Sequence, residues 1–401
     1  MISNSKLSEE ERETKRRLKA ELKHQRRVKS LETKIKHAIS RKDPVIEKSA
    51  REELKILLES KNDTNNIHLS QQLSQCSLKP PINDTKHKAA VDDVVLILRK
   101  LLSSVDDEDR QTVKKDKIEQ TMKARTLLSN MTKGTQSKSM LKDITALRGY
   151  TRQKFHGRAT LLIESYANIT PESLEMAPAI YSKLDTQQQQ ECIDQIDVMN
   201  MCYEKLDNIQ RVCSIGCGPG NDAAGLVAFL RSFMNKKDAL EEIVMLDYAI
   251  EDWKAAVLDD LTPILVPDYV SKITCESCDV TQSIKSDTVE QYIRDSDIVL
   301  TSYLLTETRN KWAEFINQLV DLSKVGAMFY FAEPVPWQLH QLIRMSTNQS
   351  EKSTDIDFSP LQQLRFAWID SSIHQPLFQK LDGRSGGPAV LLAIKVDKTC
   401  T

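Results

Sequence analysis

The stretch RVCSIGCGPGNDAAGLVAFLRSF at residues 211–233, followed by IVMLD at 243–247, decides how this chain folds. Val212 to Ile215 is a short apolar run of strand type that passes straight into Gly216-Cys217-Gly218-Pro219-Gly220. Ala223, Ala224, Leu226, Val227, Leu230 and Phe233 then recur at helical spacing, and a second apolar strand, Ile243 to Leu246, ends on Asp247. Strand, glycine turn, helix, strand and carboxylate make the first half of a nucleotide-binding α/β sheet. Side chains on the loop would keep backbone N–H groups and the helix N-terminus away from a ligand, which is the task of the glycines. A carboxylate ending the second strand lies at the C-terminal edge of the sheet, where it can accept both hydroxyls of a ribose.

The spacing separates two cofactor classes. A dinucleotide fingerprint, G-x-G-x-x-G, needs glycine at position 221, where this chain has Asn221; the pattern present is G-x-G-x-G. On these residues the sequence resembles the class I S-adenosylmethionine-dependent methyltransferases, over roughly its C-terminal half. The resemblance implies an α/β, Rossmann-like, seven-stranded and mostly parallel sheet with an antiparallel C-terminal strand, preceded by an α-helical N-terminal extension. It implies S-adenosyl-L-methionine as cofactor, held by Ser214, Gly216, Cys217, Gly218, Gly220, Asp247, Tyr248, Asp279, Val280 and Ser302. Asp279, near the end of a third strand over Ile273 to Val280, looks like the family acid that hydrogen-bonds the adenine amine, with Val280 and Thr281 bordering the ring. The family usually has Asp or Glu two residues before the first glycine; this chain has Ser214.

Asp297 to Tyr303 reads as the fourth strand and its exit loop, which in this family faces the methyl group. Enzymes acting on exocyclic base amines commonly carry (Asp/Asn)-Pro-Pro-(aromatic) there; Thr301-Ser302-Tyr303-Leu304 departs from it. Tyr303, Glu307 and Glu333 are the candidate catalytic residues, with Arg309 as a further polar residue beside the site; Glu307, Glu333 and His340 are the candidate bases by sheet position. His340, among apolar residues, has a packed histidine as its plainer meaning. Trp312 to Leu322 and Pro336 to Met345 read as helices around a strand at Met328 to Ala332. Leu364 to Ile369 and Ala389 to Val396 form a terminal strand pair, which class I methyltransferases use in place of a further βαβ crossover. Cys275-x-x-Cys278 has no second pair or His pair at ligand spacing, so no metal is expected.

Ahead of this domain, assigned to 209–401, the sequence divides into a basic helical hairpin arm at 1–60, a polar linker at 61–88, a helical segment and loop at 89–140, and a helical cap at 141–208. Thirteen Lys and Arg against four Glu from Glu11 to Lys42 give the arm a net charge of +9, in a chain whose formal charge is −1. Ser8 and Glu11 have capping-box spacing, a narrow stripe of Leu18, Leu22, Leu31, Ile35 and Ile39 suits coiled-coil-like packing on one neighbour, and Asp43-Pro44 starts a second helix. Arg16, Arg17, Lys23, Arg26, Arg27 and Lys29 are the candidate RNA-phosphate contacts; a solvated charged helix is the plainer alternative. Within the cap, Tyr150, Arg152, Lys154, His156 and Arg158 read as an exposed basic helix face or as residues shaping the substrate pocket.

Eight cysteines without a disulfide framework, no secretory or membrane-spanning run, and early acidic residues unlike a mitochondrial presequence point to a cytoplasmic or nuclear protein. The expected function is S-adenosylmethionine-dependent methyl transfer, with RNA as the favoured acceptor. The alternatives are a small molecule or protein side chain as acceptor, or a non-catalytic RNA-associated protein on a relic methyltransferase fold.

Overall fold

The computed structural model describes residues 84–106, 113–133, 141–174, 186–236, 240–308, 311–334, 336–347, 357–369 and 388–397. The basic arm, with Arg16, Arg17, Lys23, Arg26, Arg27 and Lys29, lies outside the described residues, as do Arg309 and nearly all of the expected linker.

Seven strands, β1 (Arg211–Ile215), β2 (Leu240–Asp247), β3 (Val270–Ser277), β4 (Ile298–Ser302), β5 (Met328–Glu333), β6 (Leu364–Ile369) and β7 (Ala389–Lys395), form one sheet in the order β3-β2-β1-β4-β5-β7-β6. β1 to β5 run parallel, whereas β7 enters antiparallel between β5 and β6. This is the mostly parallel, seven-stranded sheet with antiparallel C-terminal pairing expected from the sequence. The central strands are apolar on both faces because helices cover both. Val212, Ile298, Leu300, Met328 and Tyr330 point to one layer, and Cys213, Ile215, Val299, Phe329 and Phe331 to the other.

The first layer is organised by three N-terminal helices, α1 (Asp84–Asp106), α2 (Val113–Lys133) and α3 (Ile144–Ala167), followed by α4 (Thr186–Asp207). Asp143 caps α3 by accepting from the Ala146 amide at 3.2 Å, a contact of the kind worth about 1 kcal/mol. Beyond that cap α3 shows no single apolar face, since every residue from Arg158 to Ala167 is buried. It passes very close to α5 (Asn221–Phe233): a Cβ on Gly225 would sit 2.6 Å from the Ala159 carbonyl oxygen.

α1 begins at Asp84, so the last residues assigned to the linker are helical, and Lys86 Nζ donates to the Phe233 carbonyl at 3.3 Å. β3 stops at Ser277, because Asp279 turns the chain: its Oδ1 accepts from the Thr281 amide at 3.0 Å and its Oδ2 from Gln282 at 3.0 Å. The basic-face reading of the cap fails for Tyr150 and Arg158, which are buried.

After β2 one continuous helix, α6, runs through Ile250–Trp253, a π-helical turn at Lys254–Leu258, and Asp259–Leu265. Arg148 Nε donates to the Ala256 carbonyl within that turn at 3.2 Å, tying α3 to α6. The second layer consists of α7 (Asp287–Asp295), the short α8 (Leu304–Thr308), α9 (Ala313–Leu322) and α10 (Trp337–Ser346). Among the described residues no helix is long and apolar enough to cross a membrane.

Candidate functional site

Strand order reverses direction between β1 and β4, and chain exits from neighbouring parallel strands diverge there, leaving a crevice at their C-terminal ends. The glycine loop forms one wall. Gly216, Gly218 and Gly220 have φ of 62°, 51° and 79°, a region that side chains with a Cβ enter at a cost. At Gly216 a Cβ would also lie 2.7 Å from Leu304 Cδ1, and at Gly220 2.5 Å from Leu261 Cδ2. Gly220 is the N-cap of α5, so the first amides of that helix open towards the crevice.

Asp247 closes the loop from below. Its Oδ2 accepts from the Gly218 amide at 3.1 Å and its Oδ1 from the Ala249 amide at 2.9 Å. Burial raises its pKa, opposed by those two amides. One amide on each oxygen leaves each a further lone pair, the arrangement a pair of ribose hydroxyls requires. Tyr248 follows, half-buried, with its phenol pushed up to about 12 by burial and by the neighbouring acids. The Cys278 amide donates to the Asp247 carbonyl at 3.2 Å, which brings the β3 exit, with buried Val280 and the Asp279 turn, beside the end of β2.

The opposite wall is the exit of β4. Ser302 is buried, and Tyr303 takes φ of 65°, a conformation rare for a residue with a side chain. A bond from its amide to the Ala332 carbonyl at 2.6 Å fixes it, and the Glu307 amide returns to the Tyr303 carbonyl at 3.1 Å. The ring of Tyr303 lies under the Arg158 guanidinium, 4.0 Å from its centroid, and Tyr150 lies 5.3 Å away on α3. Arg158 Nη2 donates to Glu307 Oε1 at 3.4 Å. Burial pushes the Glu307 carboxyl up to about 7 against the pull of Arg158. Tyr150 in turn meets Trp253 edge-on at 5.6 Å, and Trp253 faces Gly218, so α3 closes over the loop as well.

The structure therefore brings Gly216, Gly218, Gly220, Asp247, Ser302, Tyr303 and Glu307 around one crevice. The other candidates stand differently. Both oxygens of Glu333 are engaged by the amides of Leu305 at 2.8 Å and Thr306 at 3.1 Å, at the start of α8. Burial pushes its carboxyl up to about 8 in spite of those donors. His340 stacks on Trp368 of β6 at 4.9 Å, at the far edge of the sheet. Ser214 and Cys217 are buried, and the thiols of Cys202, Cys213, Cys217, Cys275 and Cys278 are free.

Two residues of the crevice were missed or misjudged. Asp222, the second residue of α5, is 1% exposed, and burial pushes its carboxyl up to about 6 against Ser302, Arg158 and Asn221. Its only signal in the sequence is its place just after the glycine loop. Arg158 was visible as a basic residue of the cap, but nothing local in the sequence marks it as buried. A surface cavity lined by Leu230, Arg231, Asn235, Lys236, Asp268 and Tyr269 sits at the other end of α5, away from all this chemistry.

No family model matches the chain, and no curated protein matches it. Among solved structures it is similar to precorrin-6y C5,15-methyltransferase from Geobacter metallireducens GS-15, at 12% identity and a TM-score of 0.28, covering 54% of this chain and 91% of that one. Human N-acetylserotonin methyltransferase, in complex with SAM, gives 13% identity and a TM-score of 0.28 over 64% of this chain and 72% of that one. An S-adenosylmethionine-dependent methyltransferase from Clostridium acetobutylicum ATCC 824 gives 10% and 0.27, over 56% and 97%. Likeness at this level leaves the activity to be argued from the crevice itself.

Proposed function

We propose that this chain is an S-adenosylmethionine-dependent methyltransferase whose acceptor is RNA. The observation that carries the first part is the pairing of a positive-φ glycine loop with Asp247, joined through the Gly218 amide at 3.1 Å, at the switch point of the sheet. When bound, the cofactor supplies an electrophilic methyl group on a sulfonium. The rest of the reaction falls to the protein. The three glycines let the backbone come close, Asp247 accepts the ribose hydroxyls, and Tyr150, Trp253 and Tyr303 wall off water, which favours alignment of donor and acceptor. An acceptor N–H or O–H must lose its proton as the new bond forms. Glu307, with its carboxyl pushed up to about 7, is partly ionised at neutral pH and can take that proton, whereas Glu333 has both oxygens engaged at the start of α8.

The RNA acceptor rests on the arm: a net charge of +9 between Glu11 and Lys42 exceeds what solubility requires of one segment. Labelled methyl groups offered with fractionated cell extract should enter the RNA fraction. Label in protein or small molecules alone would overturn the acceptor class, and no label anywhere would favour a relic fold. RNA affinity should fall linearly with log salt, by about 0.7 per neutralised phosphate on a single strand. Deleting the first sixty residues should flatten that slope and leave cofactor affinity intact.

A further inference from the structure

The glycine loop and Asp247 provide for the adenosine half of the cofactor. Its other end is an α-amino acid, with a carboxylate and an ammonium to be paired, and Ser214 stands where an acid would be expected. Ser214 itself has no hydrogen-bond partner for its fully buried hydroxyl among the described residues. By strand alternation it faces the layer of α3 and α5, opposite to Cys213 and Ile215.

Two charged side chains reach that layer without being used up by the fold. Arg158 is 9% exposed, and its guanidinium lies over the rings of Tyr303 and Tyr150, 4.0 and 5.3 Å from their centroids. Its one hydrogen bond, Nη2 to Glu307, is long at 3.4 Å, and its Nε has no partner among the described residues. Asp222 is 1% exposed; Oδ1 accepts from Asn221 at 2.6 Å and Ser302 lies near the carboxylate, while Oδ2 makes no hydrogen bond of good geometry among the described residues. The two interact electrostatically, but no ion pair within 4.0 Å joins them. A buried donor or acceptor left unpaired costs about 1–3 kcal/mol, and more when charged. Groups kept in that condition on two different helices, facing one crevice, mark a place for a ligand carrying both signs of charge.

We propose that Arg158 receives the α-carboxylate of S-adenosylmethionine and Asp222 its ammonium, so that Asp222 on α5 supplies the acid that position 214 lacks. This rests on the methyltransferase reading and adds to it the residues that hold the amino-acid end. Arginine suits the carboxylate because its fork offers parallel N–H donors, and the flanking rings order that fork in advance. Tyr303 thereby gains a reason for its costly backbone: the turn aims its ring at the guanidinium rather than away from it.

Calorimetry on the full-length protein tests this with four probes: S-adenosylmethionine, its decarboxylated form, S-adenosylhomocysteine and methylthioadenosine, which lacks the amino acid altogether. The wild-type protein should bind the intact cofactor on the order of tenfold more tightly than the decarboxylated one. Arg158→Met should abolish that difference and leave methylthioadenosine affinity unchanged. Asp222→Asn should weaken the intact and the decarboxylated cofactor equally, since both keep the ammonium, and spare methylthioadenosine. Equal wild-type affinity for the intact and decarboxylated forms would overturn the Arg158 assignment without needing a folded variant. Retained discrimination in Arg158→Met would overturn it too. Binding of none of the four probes would instead bring down the methyltransferase reading, and this inference with it.

Discussion

The two edges of the sheet treat their carboxylates in opposite ways. At the N-terminal edge, where β4 begins, Asp297 accepts from the Gln210 amide at 2.8 Å and the Arg211 amide at 3.0 Å, with Lys324 at 2.8 Å and Lys205 at 3.4 Å. In spite of its burial, Lys324 and the two amides hold its carboxyl down at about 2. At the C-terminal edge Asp222, Glu307 and Glu333 are pushed up by burial to about 6, 7 and 8, and Asp247 is raised as well. An acid saturated with donors gains from ionising in the folded state and stabilises it. An acid buried with few donors, as Asp222 and Glu307 are, is destabilising when ionised, and a protein keeps such groups where something else is to pair with them. At one edge the donors hold the acid ionised; at the other, burial opposes ionisation.

The difference can be broken at either edge. The largest effect expected is at the glycine loop, where Gly218→Val places a β-branched residue at φ of 51° with its Cβ 3.7 Å from Trp253. Binding of S-adenosylhomocysteine should fall at least ~100-fold, while the fold loses only about 1–2 kcal/mol for the left-handed backbone. Calorimetry read beside circular dichroism separates the two, and a folded variant that binds normally would sink the assignment of this loop.

At the other edge the balance should reverse. Asp297→Asn removes a carboxylate with four donors and should cost on the order of 2 kcal/mol at pH 7, with cofactor affinity unchanged. Because the folded pKa lies below the unfolded one, that stability is present above about pH 4 and is lost as the pH falls towards 2. Denaturant titrations of the two proteins should therefore converge in acid. A constant gap down to pH 2 would mean that the charge of Asp297 is not what stabilises.

Smaller effects are expected at Glu307. Its folded pKa is raised, so the folded state holds the proton more tightly than the unfolded chain, and stability falls as the pH rises from about 4.5 through 7. Glu307→Gln should remove that decline, leaving a variant as stable as the wild type near pH 5 and modestly more stable at pH 8. The same substitution should slow methyl transfer and erase the rise in rate with pH near 7. Persistence of that rise in the variant would assign the proton to another group.

What could be read in advance follows the same division. The glycine loop, the carboxylate at the end of β2 and the terminal strand pair were legible because each depends on neighbours a few residues away: a left-handed turn selects glycine, and a parallel strand buried on both faces selects a continuous apolar run. The end of β3 was misplaced because Cys278 to Val280 look as apolar as a strand while Asp279 bonds Thr281 and Gln282 and turns the chain. Glu333 was legible as an acid at the end of β5, but not that the amides of Leu305 and Thr306 take both its oxygens.

By itself, then, the sequence determined the glycine loop, the carboxylate at the end of β2, the succession of strands from Arg211 onward, and the charge of the arm, all of them properties of spacing and composition. Only the tertiary structure decided that Arg158 is buried against Tyr303 and paired with a glutamate 149 residues further on, and that Asp222 keeps an oxygen without a hydrogen bond among the described residues in the same crevice. An arginine on a helix looks the same in sequence whether it faces water or a ligand. What separates the two cases is the low-dielectric surroundings that distant elements create on packing, and those exist only once α3, α5 and the exit of β4 have come together.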